Sequence, residues 1–224
     1  MELRQRLARH LPMFGLEVRT PRLVLRYPDD EDVLALAELG ARGVHDPDAT
    51  PFSIQWTSVP PPHQERNTLG FLWDQRSTAQ RDDWHLPLVT VVEGEVVGSQ
   101  GVQARSWSVL REVGTGSWLG QAHQGRGIGT EMRAAVLHLA FAGFGAVRAT
   151  TGAWEDNPSS LGVTRHLGYR ANGEDRDVRK GKAVVMRRFA LDRADWEPTR
   201  RDDIELVGAE AVAELFGTER PPES

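Results

Sequence analysis

Apolar and polar residues along this chain fall first into short alternating runs and later into longer helical stripes. Leu16, Val18, Leu23, Val24 and Leu25 place β-prone side chains around Thr20-Pro21, so residues 16–27 read as an opening strand. Asp29-Asp30-Glu31-Asp32 then offers an N-cap and first-turn carboxylates to a helix carrying Val33, Leu34, Leu36, Ala37 and Leu39. Prolines at 47, 51, 60, 61 and 62 forbid a long regular element across residues 43–62. Phe52, Ile54 and Trp56 within that stretch still need cover, which predicts a structured loop over a cleft. Leu69, Phe71, Leu72 and Trp73 predict a short amphipathic helix over residues 67–80.

The next runs, 86–92 and 96–98, flank Glu93-Gly94-Glu95 and read as a tight antiparallel hairpin. A strand over 113–119 precedes a glycine-rich loop, and a helix follows over 130–144 with Met132, Ala135, Val136, Leu139 and Ala140 on its buried face. A strand at 146–151, a helix at 158–167 and a strand at 184–191 continue the alternation. Ile204-Glu205-Leu206-Val207 adds a strand, a helix runs on to Gly217, and the final residues read as a frayed tail. Neither internal repeats nor a linker divide the chain, so the expectation is one domain over 1–224, with its core at about 16–191 and an extension at 192–224.

Composition narrows the chemistry. With 39% apolar and 26% charged residues the chain is of ordinary globular type, and with no cysteine it has no disulfide framework, thiolate metal site or cysteine nucleophile. A net charge of −5 argues against a nucleic-acid partner, although Arg176, Arg179, Lys180 and Lys182 form a local basic patch able to attract an anion. No apolar run is long enough for a signal segment or a membrane span, which points to the cytoplasm and to no membrane partner. His45, Asp46 and His63 lack the spacing of a helical zinc site, so no metal is expected. Seven tryptophans favour large buried or intersubunit surfaces, including a homodimer or larger assembly.

Gln124-Gly125-Arg126-Gly127-Ile128-Gly129-Thr130 lies between a strand and a helix, where unpaired backbone N–H groups meet the positive end of the helix. Glycines let backbone approach an anion without a Cβ clash, and Arg126 adds charge, so the loop suits a pyrophosphate. Two familiar phosphate loops do not fit. Thr130 stands where a dinucleotide fingerprint needs its third glycine, and no Gly-Lys-Ser/Thr triplet follows any glycine loop.

The pattern Gln/Arg-x-x-Gly-x-Gly/Ala, met here by Gln124, Gly127 and Gly129, resembles the acyl-CoA pyrophosphate loop of GNAT N-acyltransferases. Three further stretches resemble the ribosomal-protein alanine acetyltransferase branch of that superfamily in the same order: residues 20–26, Gly116-Ser117-Trp118-Leu119, and Asn157-Pro158-Ser159-Ser160 running on to Leu167-Gly168-Tyr169. Gly43-Val44-His45-Asp46-Pro47, Asp82-Asp83-Trp84 and residues 129–136 are similar to an actinobacterial subgroup that uses succinyl-CoA. The resemblance implies an α/β fold with a mixed, largely antiparallel sheet of six or seven strands flanked by helices. It also implies acetyl-CoA or succinyl-CoA as co-substrate and an amine acceptor, whether a protein N-terminus, a lysine or a small amine.

In the resembled fold the strand holding Trp118, Leu119 and Gly120 splays from its neighbour, which frees backbone groups for pantetheine and for the thioester carbonyl. Asn157, a natural N-cap before Pro158, also bonds pantetheine there. Ser160 would protonate the departing thiolate, because the tyrosine that many relatives carry four residues later is Thr164 here. The glutamate often found early in that strand corresponds to Gly114. Glu112, with the same strand parity, is therefore the candidate base, with Asp83, His85 and Glu155 as further candidates. The missing carboxylate leaves a second reading open, a CoA-binding regulatory or structural protein without turnover.

Overall fold

A computed structural model of the protein describes residues 3–46, 51–52, 56–78 and 81–218. The strands are β1 (Glu17–Arg19), β2 (Val24–Arg26), β3 (Trp84–Val92), β4 (Glu95–Ala104), β5 (Glu112–Leu119), β6 (Arg148–Trp154), β7 (Arg170–Arg179), β8 (Lys182–Asp192) and β9 (Glu205–Val207). The helices are α1 (Leu3–Ala8), α2 (Asp30–Arg42), α3 (His63–Thr78), α4 (Trp107–Leu110), α5 (Ile128–His138), α6 (Pro158–His166), α7 (Arg193–Trp196) and α8 (Ala209–Phe216).

Among the described residues the strands form one sheet of nine in the order β7-β8-β6-β5-β4-β3-β2-β1-β9. Only β5 and β6 pair in parallel. The sheet is thus mixed and mostly antiparallel, as expected, but larger than the six or seven strands anticipated. One extra strand arises because residues 16–27 form a hairpin, in which Thr20 Oγ1 accepts the Leu23 N–H at 3.1 Å and turns the chain at Pro21. Another is β7, whose first nine residues are all exposed, so it carries no alternating apolar pattern. The C-terminal segment completes the sheet, with β9 pairing against β1.

Local chemistry explains the element ends. Asp29 and Asp32 form a reciprocal capping box at the start of α2, the kind of cap that contributes about 1 kcal/mol. Glu93 and Gly94, both at positive φ, make the tight β3–β4 turn. Helix α5 begins two residues earlier than its apolar stripe indicates, because Gly127 at φ 78° supplies the left-handed N-cap, and it ends in a π-helical turn at Leu139–Gly143.

The main core lies between the sheet and α5. Trp84 stacks on Phe216 at 5.0 Å and meets Trp107 at 5.8 Å, while Trp196 packs on Phe141 at 5.0 Å. A second apolar cluster, around Val33, Leu36, Leu72, Val89 and Val91, covers the opposite face under α2 and α3. No helix among the described residues is long and apolar enough to cross a membrane.

Candidate active site

Strands β5 and β6 pair only over Glu112–Gly114 and Arg148–Thr150. Beyond that point they diverge, and hydroxyls take over at the fork: Thr115 Oγ1 donates to Thr150 O at 3.3 Å and Thr151 Oγ1 to Thr115 O at 3.1 Å. On its other edge β5 remains paired with β4 as far as Leu119 opposite Gly98. The Gly120 N–H donates to Val97 O at 3.0 Å. Antiparallel alternation from that bond turns the N–H groups of Ser117 and Leu119 away from β4 and into the fork. Gly120 and, by the same alternation, Trp118, both expected to offer free backbone groups, therefore face β4 instead, and of the three only Leu119 faces the fork, joined there by Ser117.

A cleft of about 800 Å³ opens at the fork. Nine of the residues proposed from sequence line it: Trp118, Leu119, Gln124, Gly125, Gly127, Gly129, Thr130, Asn157 and Ser160. Gly120, Arg126, Ile128 and Glu112 do not. Ile128 is buried in the core, and the Arg126 carbonyl is held at 3.1 Å by Arg22, whose guanidinium reaches across from the β1–β2 turn. Glu112 sits at the paired base of β5 opposite Arg148, away from the lining of the opening.

The glycine loop is braced from three sides. Gln124 Nε2 donates to Val44 O at 2.7 Å and Leu119 O at 3.0 Å, tying the loop to β5 and to the segment after α2. Glu131, in the first turn of α5, accepts from Thr20 Oγ1 at 2.6 Å and Arg22 Nε at 2.5 Å. Burial alone pushes the Glu131 carboxyl up, but the hydrogen bonds from Thr20 and Arg22 and the charge of Arg22 outweigh it and hold the group below its usual range. Gly125 and Gly127 take positive φ of 71° and 78°. A β-carbon on Gly129 would meet only Leu119 at 3.6 Å and Val163 at 3.9 Å, so the protein itself leaves room there.

Across the cleft, Asn157 Oδ1 accepts the Ser160 N–H at 3.1 Å, which leaves its Nδ2 donors available. Ser160 Oγ has no hydrogen-bond partner among the described residues, whereas Thr164 Oγ1 folds back onto Ser160 O at 2.8 Å and is buried. The β7–β8 turn brings Arg179, Lys180 and Lys182 to the rim, while Arg176 of the same basic patch stays outside the lining.

Sequence reasoning missed Arg133. It is 4% exposed, lines the cleft, and donates to Gln100 Oε1 at 3.3 Å, Thr151 Oγ1 at 3.2 Å and Ser117 Oγ at 2.8 Å. All three acceptors are neutral, and no carboxylate pairs with it among the described residues. A signal existed, since Arg133 falls in one stripe with Val136, Leu137 and Ala140 on the buried face of α5.

A second cleft of similar size opens on the opposite face of the sheet, under α2 and α3. The two share Phe52, Ser117 and Trp118. Rings at 5.2 and 5.3 Å link Phe52 to Trp56 and Trp56 to Trp118 along this junction. The expectation that aromatic residues of the 43–62 segment sit over a cleft is met by Phe52 and Trp56, while residues 47–50 and 53–55, including Ile54, lie outside the described residues.

Residues 22–170 match the family description "Acetyltransferase (GNAT) domain". Among solved structures, Mycobacterium smegmatis RimJ in complex with a CoA disulfide is 20% identical, with 89% of this chain and 93% of that one covered at a TM-score of 0.64. RimL, a ribosomal L7/L12 α-N-protein acetyltransferase in complex with coenzyme A, is 19% identical over 79% of this chain and 97% of its own, at 0.61. The microcin C7 self-immunity acetyltransferase MccE, in complex with acetyl-CoA and AMP, is 15% identical over 77% and 93%, at 0.60. At these identities the likeness is one of fold.

Proposed function

Since the chain belongs to the GNAT family of acetyltransferases, we propose that it moves an acyl group from coenzyme A to a primary amine by direct attack in a ternary complex. The observation that carries this reading is the fork between β5 and β6, where the glycine loop, Asn157 and Ser160 share one lining. The left-handed glycines and the N-terminus of α5 suit the pyrophosphate, and Arg179, Lys180 and Lys182 suit further phosphate charge at the rim. The N–H groups of Ser117 and Leu119 suit the pantetheine amides and the developing oxyanion. As the acceptor nitrogen bonds to the thioester carbon and the carbon–sulfur bond breaks, the Ser160 hydroxyl protonates the leaving sulfur. No covalent enzyme intermediate is required.

Acetyl and succinyl are the two candidate donors, and Arg133 favours succinyl. A buried guanidinium with only neutral acceptors is costly, and a carboxylate at the far end of the acyl chain would relieve that cost through charge-assisted hydrogen bonds. Calorimetric titration with both thioesters tests this: succinyl-CoA is expected to bind at least tenfold tighter, and equal binding would make Arg133 a structural strut. Release of free CoA in the presence of an amine tests the transfer itself. Binding with no release for any amine would leave a CoA-binding regulatory protein, and failure to bind either thioester would overturn the whole reading.

A further inference from the structure

We infer that the second cleft is the acceptor site, that His85 is its general base, and that it takes weakly basic amines carried on an apolar group, in preference to lysine-like alkylamines. The inference rests on the acyltransferase reading and extends it to the acceptor side.

The register of the sheet brings the parts together. His85 pairs with Gln103, and Gln103 with Gly114; Pro87 pairs with Gly101, and Gly101 with Gly116. Cross-strand partners share a face, so these residues all point into the second cleft, whose lining includes every one of them. Gly116 leaves the floor open on β5, since a β-carbon there would meet nothing within 4 Å. A β-carbon on Gly101 would stand 3.0 Å from His85 Nε2, so the imidazole reaches over β4 in the direction of β5. The position above Gly114 itself is covered by Gln103, whose Nε2 would stand 3.3 Å from a β-carbon there.

The other ring nitrogen is fixed from α3. Gln75 Oε1 accepts from His85 Nδ1, which places the proton on Nδ1 and leaves the Nε2 lone pair facing the cleft. Phe71 of α3 meets the ring edge-on at 6.0 Å. Burial holds the His85 pKa below its ordinary value, and no charged group among the described residues contributes to that shift. The imidazole is therefore neutral at pH 7 and ready to accept a proton.

Acceptor class follows from what else lines the cleft. Leu36, Phe52, Trp56, Phe71, Leu72 and Trp118 make its walls, and no described lining residue is charged. An ammonium entering such a site loses its hydration and gains no counter-ion. The amine must enter as the free base. At pH 7 that is about one in ten molecules for an α-amine but about one in a few thousand for a lysine side chain. During attack one N–H proton passes from the nitrogen of the adduct to His85 Nε2 while the sulfur takes the Ser160 proton; solvent then restores both residues, leaving a neutral amide and a free thiol.

Two probes of similar shape test the inference, phenylalanine amide with a weakly basic α-amine and phenethylamine with an alkylamine. Free-CoA release at pH 7 is expected to give phenylalanine amide a kcat/KM at least tenfold the higher; equal values, or the reverse order, would overturn the acceptor class. The His85→Gln variant is expected to lose about 10²-fold or more in kcat with unchanged calorimetric affinity for acyl-CoA, which shows that it is folded. An unchanged kcat would overturn the role of His85. If that variant does not fold, Gln75→Leu is the substitute, since removing the tautomer lock should lower kcat and leave acyl-CoA affinity intact; an unaltered kcat there would also count against His85. An inactive parent protein would instead fail the acyltransferase reading.

Discussion

The two clefts that meet at Ser117 and Trp118 are built by opposite means. On the α5–α6 side the walls are mostly backbone: a fork in the sheet, two helix N-termini and left-handed glycines, with cations at the rim and a buried one beneath. On the α2–α3 side the walls are rings and aliphatic groups around a neutral imidazole, without a charged side chain among the described lining. Charged side chains line the first cleft and none line the second among the described residues. Such a division fits a two-substrate reaction in which one partner is a polyanion and the other must arrive as an uncharged nucleophile.

Removing the proposed acid from the first cleft is expected to give the largest effect. Ser160→Ala should lower kcat by roughly 10²- to 10³-fold while calorimetric affinity for acyl-CoA stays within about twofold, because the Ser160 backbone N–H that completes the Asn157 cap is retained. A loss below tenfold would mean that another group protonates the thiolate, since Thr164 is already committed to its own helix. The next largest effect concerns the buried cation. Arg133→Met keeps an unbranched stem without the guanidinium and should weaken succinyl-CoA binding by about 10- to 100-fold, with acetyl-CoA affected far less. A parallel loss for both thioesters would show that Arg133 only holds Ser117 and Thr151 in place.

How much of this was legible in the sequence follows the same division. Backbone-built features leave strong local marks: the N-cap at the start of α2, the Asn157-Pro158 helix start and the glycine loop were all visible because each depends on residues a few positions apart. The acceptor-side features are assembled from distant segments. His85 and Gln75 come from a strand and a helix, and Gly101 beneath the His85 ring comes from a further strand, so nothing local announces their meeting. Glu112 shared strand parity with Gly114, yet β5 is still paired with β6 at that level and the opening lies further along. Strand β7 was missed because its residues are solvated on both faces, and its pairing with β8 is a property of the partner strand. Gly120 had the right neighbourhood, but whether its N–H was free depended on Val97 across the sheet.

A smaller effect separates folding from chemistry on the acceptor side. Burial lowers the pKa of His85, and burial together with the Arg200 charge lowers that of His138. Below the ordinary histidine value of 6.5 the unfolded chain takes up protons that the folded chain refuses. The stability associated with both groups is therefore complete above about pH 6.5 and declines as pH falls toward their folded pKa values. Thermal melts from pH 7.5 to 5.5 should show Tm falling with pH, and the slope should be shallower in His138→Gln. A Tm that rises on acidification would contradict the assigned burial of both rings.

The smallest expected change tests whether the open space beside Gly129 belongs to the ligand. Within the protein a methyl group there makes only ordinary contacts with Leu119 and Val163, so Gly129→Ala fits the fold and should add at most about 1 kcal/mol of stability by restricting the unfolded chain. The same methyl would stand on the floor of the cleft where the backbone must come close to a pyrophosphate, so acyl-CoA affinity should fall about tenfold, a loss of about 1.4 kcal/mol. Stability and binding would then move in opposite directions from one substitution. If both rise, the approach to the anion runs elsewhere along the loop, and Gly125 and Gly127, fixed by their positive φ, become the only glycines it needs.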